Sequence, residues 1–215
     1  MRNSRTSSWR RFDPGKTVPR PGAARSCVPV PPAPGAAPAG STAPVRILGL
    51  DPGSLRTGFG LIDCLGPRCV YVHHGVVRAG SGGLPERLRV IFEAVQALMG
   101  EFRPDEVAIE RVFVNRNADS AIKLGQARGA VLAAVPRGTA VFEYAPRAIK
   151  LAVVGSGAAD KPQVAHMMHA LLGLTALAAD AADALAAAMC HAHSRRAQQL
   201  SGGVPVPAAR VPRAE

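Results

Sequence analysis

The stretch RILGLDPGSLRTGFGLID, Arg46 to Asp63, decides how the rest of the chain is read. It begins as an apolar strand, stops at a lone carboxylate, Asp51, turns at Pro52-Gly53 and starts a second strand. Asp-Pro-Gly is ordinary turn chemistry: Asp caps the turn, Pro presets φ and Gly takes backbone angles that other residues avoid. On its own the stretch reads as a turn. The competing reading makes Asp51 a metal ligand, held at the carboxyl end of a rigid strand. The surrounding patterns decide between the two.

Val45–Asp51, Gly58–Asp63 and Cys69–Arg78 are expected as three strands of an antiparallel meander. Leu84, Leu88, Ile91, Val95 and Leu98 recur at helical spacing, which predicts a helix over 84–102. Beyond it the pattern gives a short buried strand at 106–110, a helix at 118–135, a strand at 140–144 and a short helix at 147–153. Helices at 161–172 and 180–193 complete the set. Strands first, then strand–helix alternation, imply an α/β fold: a mixed five-stranded sheet with helices on both faces.

Residues 1–44 are rich in Pro, Ala, Gly, Ser and Arg and carry no hydrophobic period, so they are expected to be a disordered extension. Their Arg- and Ser-rich start resembles an organelle transit peptide, but nine prolines by residue 44 disfavour an amphipathic helix there. Residues 195–215 read as a second disordered, basic tail. The domain is therefore assigned to 45–194.

The chain carries a net charge of +11, which invites a nucleic-acid partner. Residues 1–44 hold seven Lys/Arg against one acid and residues 195–215 four against one, leaving fifteen against thirteen between them. Bulk basicity is thus a property of the tails, and only the placement of the core cations bears on DNA. No apolar run reaches the length of a membrane span, and a cytoplasmic location is expected. Cys27, Cys64, Cys69 and Cys190 form no Cys-x-x-Cys pair. They suggest neither a zinc site nor a disulfide framework, in keeping with a reducing compartment. The cluster CHAH, Cys190–His193, reads as a helix end whose histidines complement the dipole.

Three acidic features stand out. Glu110 in DEVAIERVF ends a short apolar strand just as Asp51 does, and neighbouring strands whose carboxyl ends lie together share one crevice. Asp180 and Asp183 in ADAADALAAAMCHAH are three apart, so a helix puts them on one face near its N-terminus. The helix dipole accounts for Asp180. Asp183 lies among alanines, where a carboxylate is costly unless paired, protonated or bound to a cation. Four crowded carboxylates are most simply relieved by a hard divalent cation, and Mg²⁺ favours a few carboxylates with water and phosphate oxygens. Two such ions roughly 4 Å apart clamp an in-line phosphoryl displacement. This is nuclease chemistry.

From Val45 to His193 the chain resembles the RuvC family of bacterial Holliday junction resolvases. The segments that carry the resemblance are LGLDPGSLRTGFGLID, AIERVFVNRNADSAIKLGQARG, VFEYAPRAIKLAVVGSGAADKPQV and DAADALAAAMCHAH. It implies a ribonuclease H-like fold, a homodimer and symmetric nicking of four-way junction DNA with Mg²⁺, two ions per subunit, Mn²⁺ being a possible substitute. Asp51, Glu110, Asp180 and Asp183 match the four catalytic, metal-binding acids. Lys150 and Lys161 match basic residues near the scissile phosphate, and Phe113 an aromatic that stacks on junction bases. Without the resemblance these read as solvated lysines and a core aromatic. Arg116 and Lys123, with Arg111 and Arg128, are candidate phosphate contacts. Gly125 and Gly129 beside Ala118, Ala121 and Ala130 form a small-residue face, which suits packing within the fold or, following the resemblance, the two-fold interface. A RuvA–RuvB branch-migration complex is an implied partner. LGLTALAAD, residues 172–180, lacks the prolines associated with the family there.

Three other functions are weighed. Another ribonuclease H-like nuclease, for instance one processing ribosomal RNA, would share the strand-end Asp but not NADSAIKLGQARG. An actin- or sugar-kinase-like ATPase shares the Asp-x-Gly-Ser start but needs a second domain and phosphate loop, which about 150 residues cannot supply. A junction-binding protein without catalysis would not need all four acids.

Overall fold

Alternation along the first strand sets the architecture. In the computed structural model, which describes residues 43–111, 118–201 and 209–210, β1 (Val45–Asp51), β2 (Arg56–Leu65) and β3 (Arg68–Arg78) form the expected antiparallel meander. On its other side β1 pairs in parallel with β4 (Glu106–Glu110), and β4 with β5 (Ala140–Tyr144). The order is β3-β2-β1-β4-β5, with Ala209–Arg210 added as a two-residue edge strand, β6. The five strands read from the sequence are all present.

Successive residues of β1 enter different cores. Leu48 and Leu50 pack with helices α1 (Leu84–Phe102) and α2 (Ala118–Ala134) on one face. Ile47 packs on the other face with α3 (Pro146–Val154), α4 (Lys161–Leu172) and α5 (Ala179–Leu200). Helices therefore cover both faces, as expected. Such double burial explains why β1 and β4 read as nearly continuous apolar runs.

The alanine-rich α5 is the closest-packed element. A Cβ built on Gly49 would sit 2.0 Å from the Ala184 carbonyl oxygen, and one on Gly58 would sit 1.9 Å from that of Asp180. Glycines in the strands and alanines in the helix together remove the side-chain layer that normally separates helix from sheet. Ala181, Ala184 and Ala188 are fully buried as a result.

Three expectations change. The last helix continues past His193, where the pattern placed its end, to Leu200. Cys64 and Cys69 are disulfide-bonded: they are cross-strand neighbours where β2 returns as β3, a proximity set by the hairpin and invisible to a search for Cys-x-x-Cys. His191 is not at a helix end but fully buried. The extension up to residue 42 and most of the C-terminal tail lie outside the described residues, as do Phe113 and Arg116. Among the described residues no helix is long and apolar enough to cross a membrane.

Candidate active site

The alternation that divides the cores also aims the acids. Asp51 lies on the same face of β1 as Ile47 and Gly49, and Glu110 on the same face of β4 as Ala108, which is the face α5 covers. The parallel register pairs Leu50 with Ile109, and its continuation sets Asp51 beside Glu110. α5 enters over Gly58, so its first turns bring Asp180 and Asp183 to the same end of the sheet. The missing prolines of residues 172–180 do not displace this start, since Asp180 stands in the first turn.

The four acids interact. Burial, followed by the charges of Glu110 and Asp183, pushes the Asp51 carboxyl up to about 7; Lys161 offsets part of the rise and Asp180 adds to it. Glu110 is also raised, first by burial and then by Asp183, against the lowering effect of Lys161 and Lys150. Two cations restrain the helical pair. Lys161 Nζ donates to Asp183 Oδ2 at 2.5 Å, which raises the lysine above its ordinary value. Arg56 Nε lies 2.7 Å from Asp180 Oδ2. That oxygen is buried, and no hydrogen bond reaches it among the described residues.

A cleft of roughly 210 Å³ opens at this end, with Glu110, Asp183, Lys150 and Lys161 as its polar lining and Pro146, Ile149 and Val164 as its apolar part. Lys161 reaches it from the first position of α4, where Asp160 caps the helix by accepting from the Gln163 amide at 2.8 Å and Gln163 returns to the Asp160 amide. The structure thus brings together the four acids, Lys150 and Lys161. It does not bring in Lys123, which pairs at 2.5 Å with Asp119 one turn earlier on α2. Arg128 and Arg111 are both turned to Glu143.

The donor set is all carboxylate oxygen, the chemistry of a hard divalent cation. Among the described residues no three such groups are already gathered round one point; Lys161 and Arg56 pair with Asp183 and Asp180. Asp51 and Glu110 are both raised by burial and by neighbouring carboxylates, which marks a site short of positive charge, and in that sense the residues fit a metal.

Two participants were missed in the sequence. One is Arg56, which precedes the strand start placed at Gly58 and opens β2 in the structure. The other is a buried chain at the opposite end of α5: His191 Nε2 lies 2.6 Å from Glu106 Oε2, Tyr144 Oη lies 2.7 Å from His191 Nδ1, and Arg195 Nε reaches Glu106 at 3.1 Å. The available signal was spacing: Asp183, His191 and Arg195 fall on one helical stripe, and Glu106 and Glu110 on one strand face.

The family model described as crossover junction endodeoxyribonuclease RuvC matches residues 47–191. A crossover junction endodeoxyribonuclease RuvC of Marinobacter nauticus is 56% identical over 149 residues, 68% of this chain and 85% of its own. One from Methylococcus capsulatus is 54% identical over 153 residues, 70% of this chain and 92% of its own. Among solved structures, T. thermophilus RuvC in complex with a Holliday junction substrate superposes with a TM-score of 0.67 at 35% identity, covering 72% of this chain and 97% of that one.

Proposed function

The chain belongs to the RuvC family of crossover junction endodeoxyribonucleases, and from that premise we propose that Asp51, Glu110, Asp180 and Asp183 are its catalytic acids. The protein is an endodeoxyribonuclease that resolves Holliday junctions, a metal-dependent hydrolase of DNA recombination and repair. One observation carries the site assignment: the ends of two parallel strands and the start of one helix converge with four carboxylates and, among the described residues, two direct counter-cations.

The metal is proposed to be Mg²⁺, two ions per subunit with Mn²⁺ as substitute. Bound there, the ions supply Lewis acidity for in-line hydrolysis, activating water and stabilising the leaving oxygen. The protein's part is positional. β1 and β4 fix Asp51 and Glu110, and α5 fixes Asp180 and Asp183. Lys150 and Lys161 supply positive charge at the cleft, where the scissile phosphate would otherwise meet acids alone. Phe113 and Arg116, beyond the described residues, are proposed to contact the junction. Lys123 can join them only by leaving Asp119.

A homodimer suits a substrate cut at two symmetric points. Gly125 and Gly129 support α2 as its interface, since a Cβ on either would meet nothing within 4 Å and Ile122 beside them is 61% exposed. The reading extends to one nuclease unit over 45–194, to cytoplasmic DNA and to co-operation with a RuvA–RuvB branch-migration complex.

The deciding experiment incubates the protein with a synthetic four-way junction and Mg²⁺. Paired nicks are expected from the wild type, and binding without nicking from Asp51→Asn. Identical behaviour of the two proteins would refute the assignment, and preferential cutting of structured RNA would favour an RNA-processing nuclease.

A further inference from the structure

Arg56 occupies an unusual position. It opens β2 three residues after Gly53 and precedes Thr57, whose buried hydroxyl donates to the Gly53 carbonyl at 3.1 Å and ties the turn to the strand. Two residues later Gly58 admits the backbone of Asp180. The close approach that delivers Asp180 to the acids therefore also delivers it to Arg56, whose Nε lies 2.7 Å from Asp180 Oδ2. The arginine side chain is 47% exposed.

Two facts argue against a purely structural bridge. α5 is already held by a buried apolar face that includes Leu185 and Met189, whereas an ion pair this exposed shifts an equilibrium by only about 1.5–5-fold. Arg56 also stands directly opposite Arg78 in the β2–β3 register, with both exposed. Like charges facing each other across a sheet are unfavourable, and an anion between them removes the penalty. Arg56 flanks the acids from β2, with Arg78 across from it on β3, while Lys150 and Lys161 flank them from α3 and α4.

We propose that Arg56 is an exchangeable counter-ion: it neutralises Asp180 while the site holds no metal and, with Arg78, transfers to a DNA phosphate once a divalent cation takes the Asp180 oxygens. Arg56 is then a phosphate-binding residue whose availability depends on the metal. The assignment rests on the reading of Asp180 as a metal ligand.

The full-length chain and its Arg56→Gln, Arg56→Lys and Arg78→Gln variants test this, with Arg89→Gln on the exposed side of α1 as control for loss of a surface charge. Calorimetric titration of DNA-free protein with Mn²⁺ should show Arg56→Gln binding about 2–5-fold more tightly than wild type, because the competing guanidinium is gone. Binding of an uncut four-way junction should fall at least 5-fold for Arg56→Gln in Ca²⁺ and less than 2-fold in EDTA. Its log–log salt slope in Ca²⁺ should shrink by about 0.9 per lost phosphate contact. Arg78→Gln should weaken the junction in Ca²⁺ without altering Mn²⁺ affinity. Arg56 is instead a fixed anchor of α5 if its loss weakens Mn²⁺ binding, or weakens the junction equally with and without Ca²⁺. If Arg56→Gln does not fold, Arg56→Lys carries the test: it should keep the Ca²⁺-dependent share of junction affinity, and losing that share overturns the exchange. A wild type that binds Mn²⁺ and the junction as described but never nicks would count against the nuclease reading alone.

Discussion

Asp51 carries an energetic debt that a cation would settle. Its carboxyl titrates near 7 rather than the ordinary 3.8, so between those values the folded state holds a proton that the unfolded state has released. Stability of the metal-free protein therefore falls as pH rises from about 4 to 7, and below both values the effect vanishes. Asp51→Asn should exceed the wild type in metal-free stability at pH 8, on the order of 1–3 kcal/mol, and match it near pH 4. Urea denaturation in EDTA at the two pH values checks this, and adding a divalent ion should narrow the gap at pH 8. Gly58 is the second residue with a sharp expectation. Its missing Cβ would lie 1.9 Å from a backbone oxygen of α5, so Gly58→Ala must push the helix start away. The stability cost should be about 1–3 kcal/mol, while cleavage should fall roughly 100-fold because Asp180 moves with the backbone. Measuring melting and kcat on one preparation separates the two. That these four acids come together was legible in the sequence: Asp51 and Glu110 end strands, Asp180 opens a helix, and Asp183 stands three residues on among alanines. Arg56 was not, since its partner lies 124 positions later and nothing local marks an ion pair.

Among the elements, α5 is where sequence reading succeeded at one end and failed at the other. Its start was placed to within a residue by the Asp180–Asp183 spacing. Its end was placed seven residues early, because CHAHSRRAQQL looks like a polar exit when read locally. Arg195 and His191 are instead engaged with Glu106 on β4, while the helix start is paired with Arg56 on β2 and Lys161 on α4. Burial would raise the Glu106 carboxyl, but the hydrogen bond and charge of His191, with Arg195, hold it below its ordinary range. The sign is opposite to that of Asp51: this stabilisation is present above pH 4.5 and is lost as pH falls through the lowered value. Glu106→Gln should thus destabilise at pH 7 and differ little from wild type in strong acid. His191→Ala leaves Tyr144 and Glu106 without their partner and a void beneath Phe142, which stacks on the imidazole at 4.1 Å. A loss of about 2–4 kcal/mol is expected in thermal or urea unfolding. If α5 is only loosened at that end, cleavage by the surviving folded fraction should persist.

At the scale of the whole molecule, charge and symmetry matter more than any contact. The tails carry most of the net +11, so composition pointed to nucleic acid for a reason unrelated to the cleft. The two-fold is suggested by the small residues on α2 and by the resemblance to the family. A mixed dimer tests the proposal: wild-type chains tagged and co-refolded with Asp51→Asn chains should nick one strand of a junction and leave its partner intact, visible as a singly nicked product on denaturing gels. Equal nicking of both strands would mean that one site serves both, and the two-fold arrangement would fail.

Cys190 gives this fold a built-in clock. The residue is 2% exposed on the inner face of α5, and burial pushes the thiol up to about 11, so an alkylating reagent reaches it only when the helix lifts. Cys64 and Cys69 are closed to the reagent by their mutual bond. Alkylation at Cys190, followed by peptide mass, therefore counts the openings of the one element that carries half of the acids. If Asp51, Glu110 and the α5 acids hold a divalent cation together, saturating Mg²⁺ should slow the clock, since binding favours the closed helix.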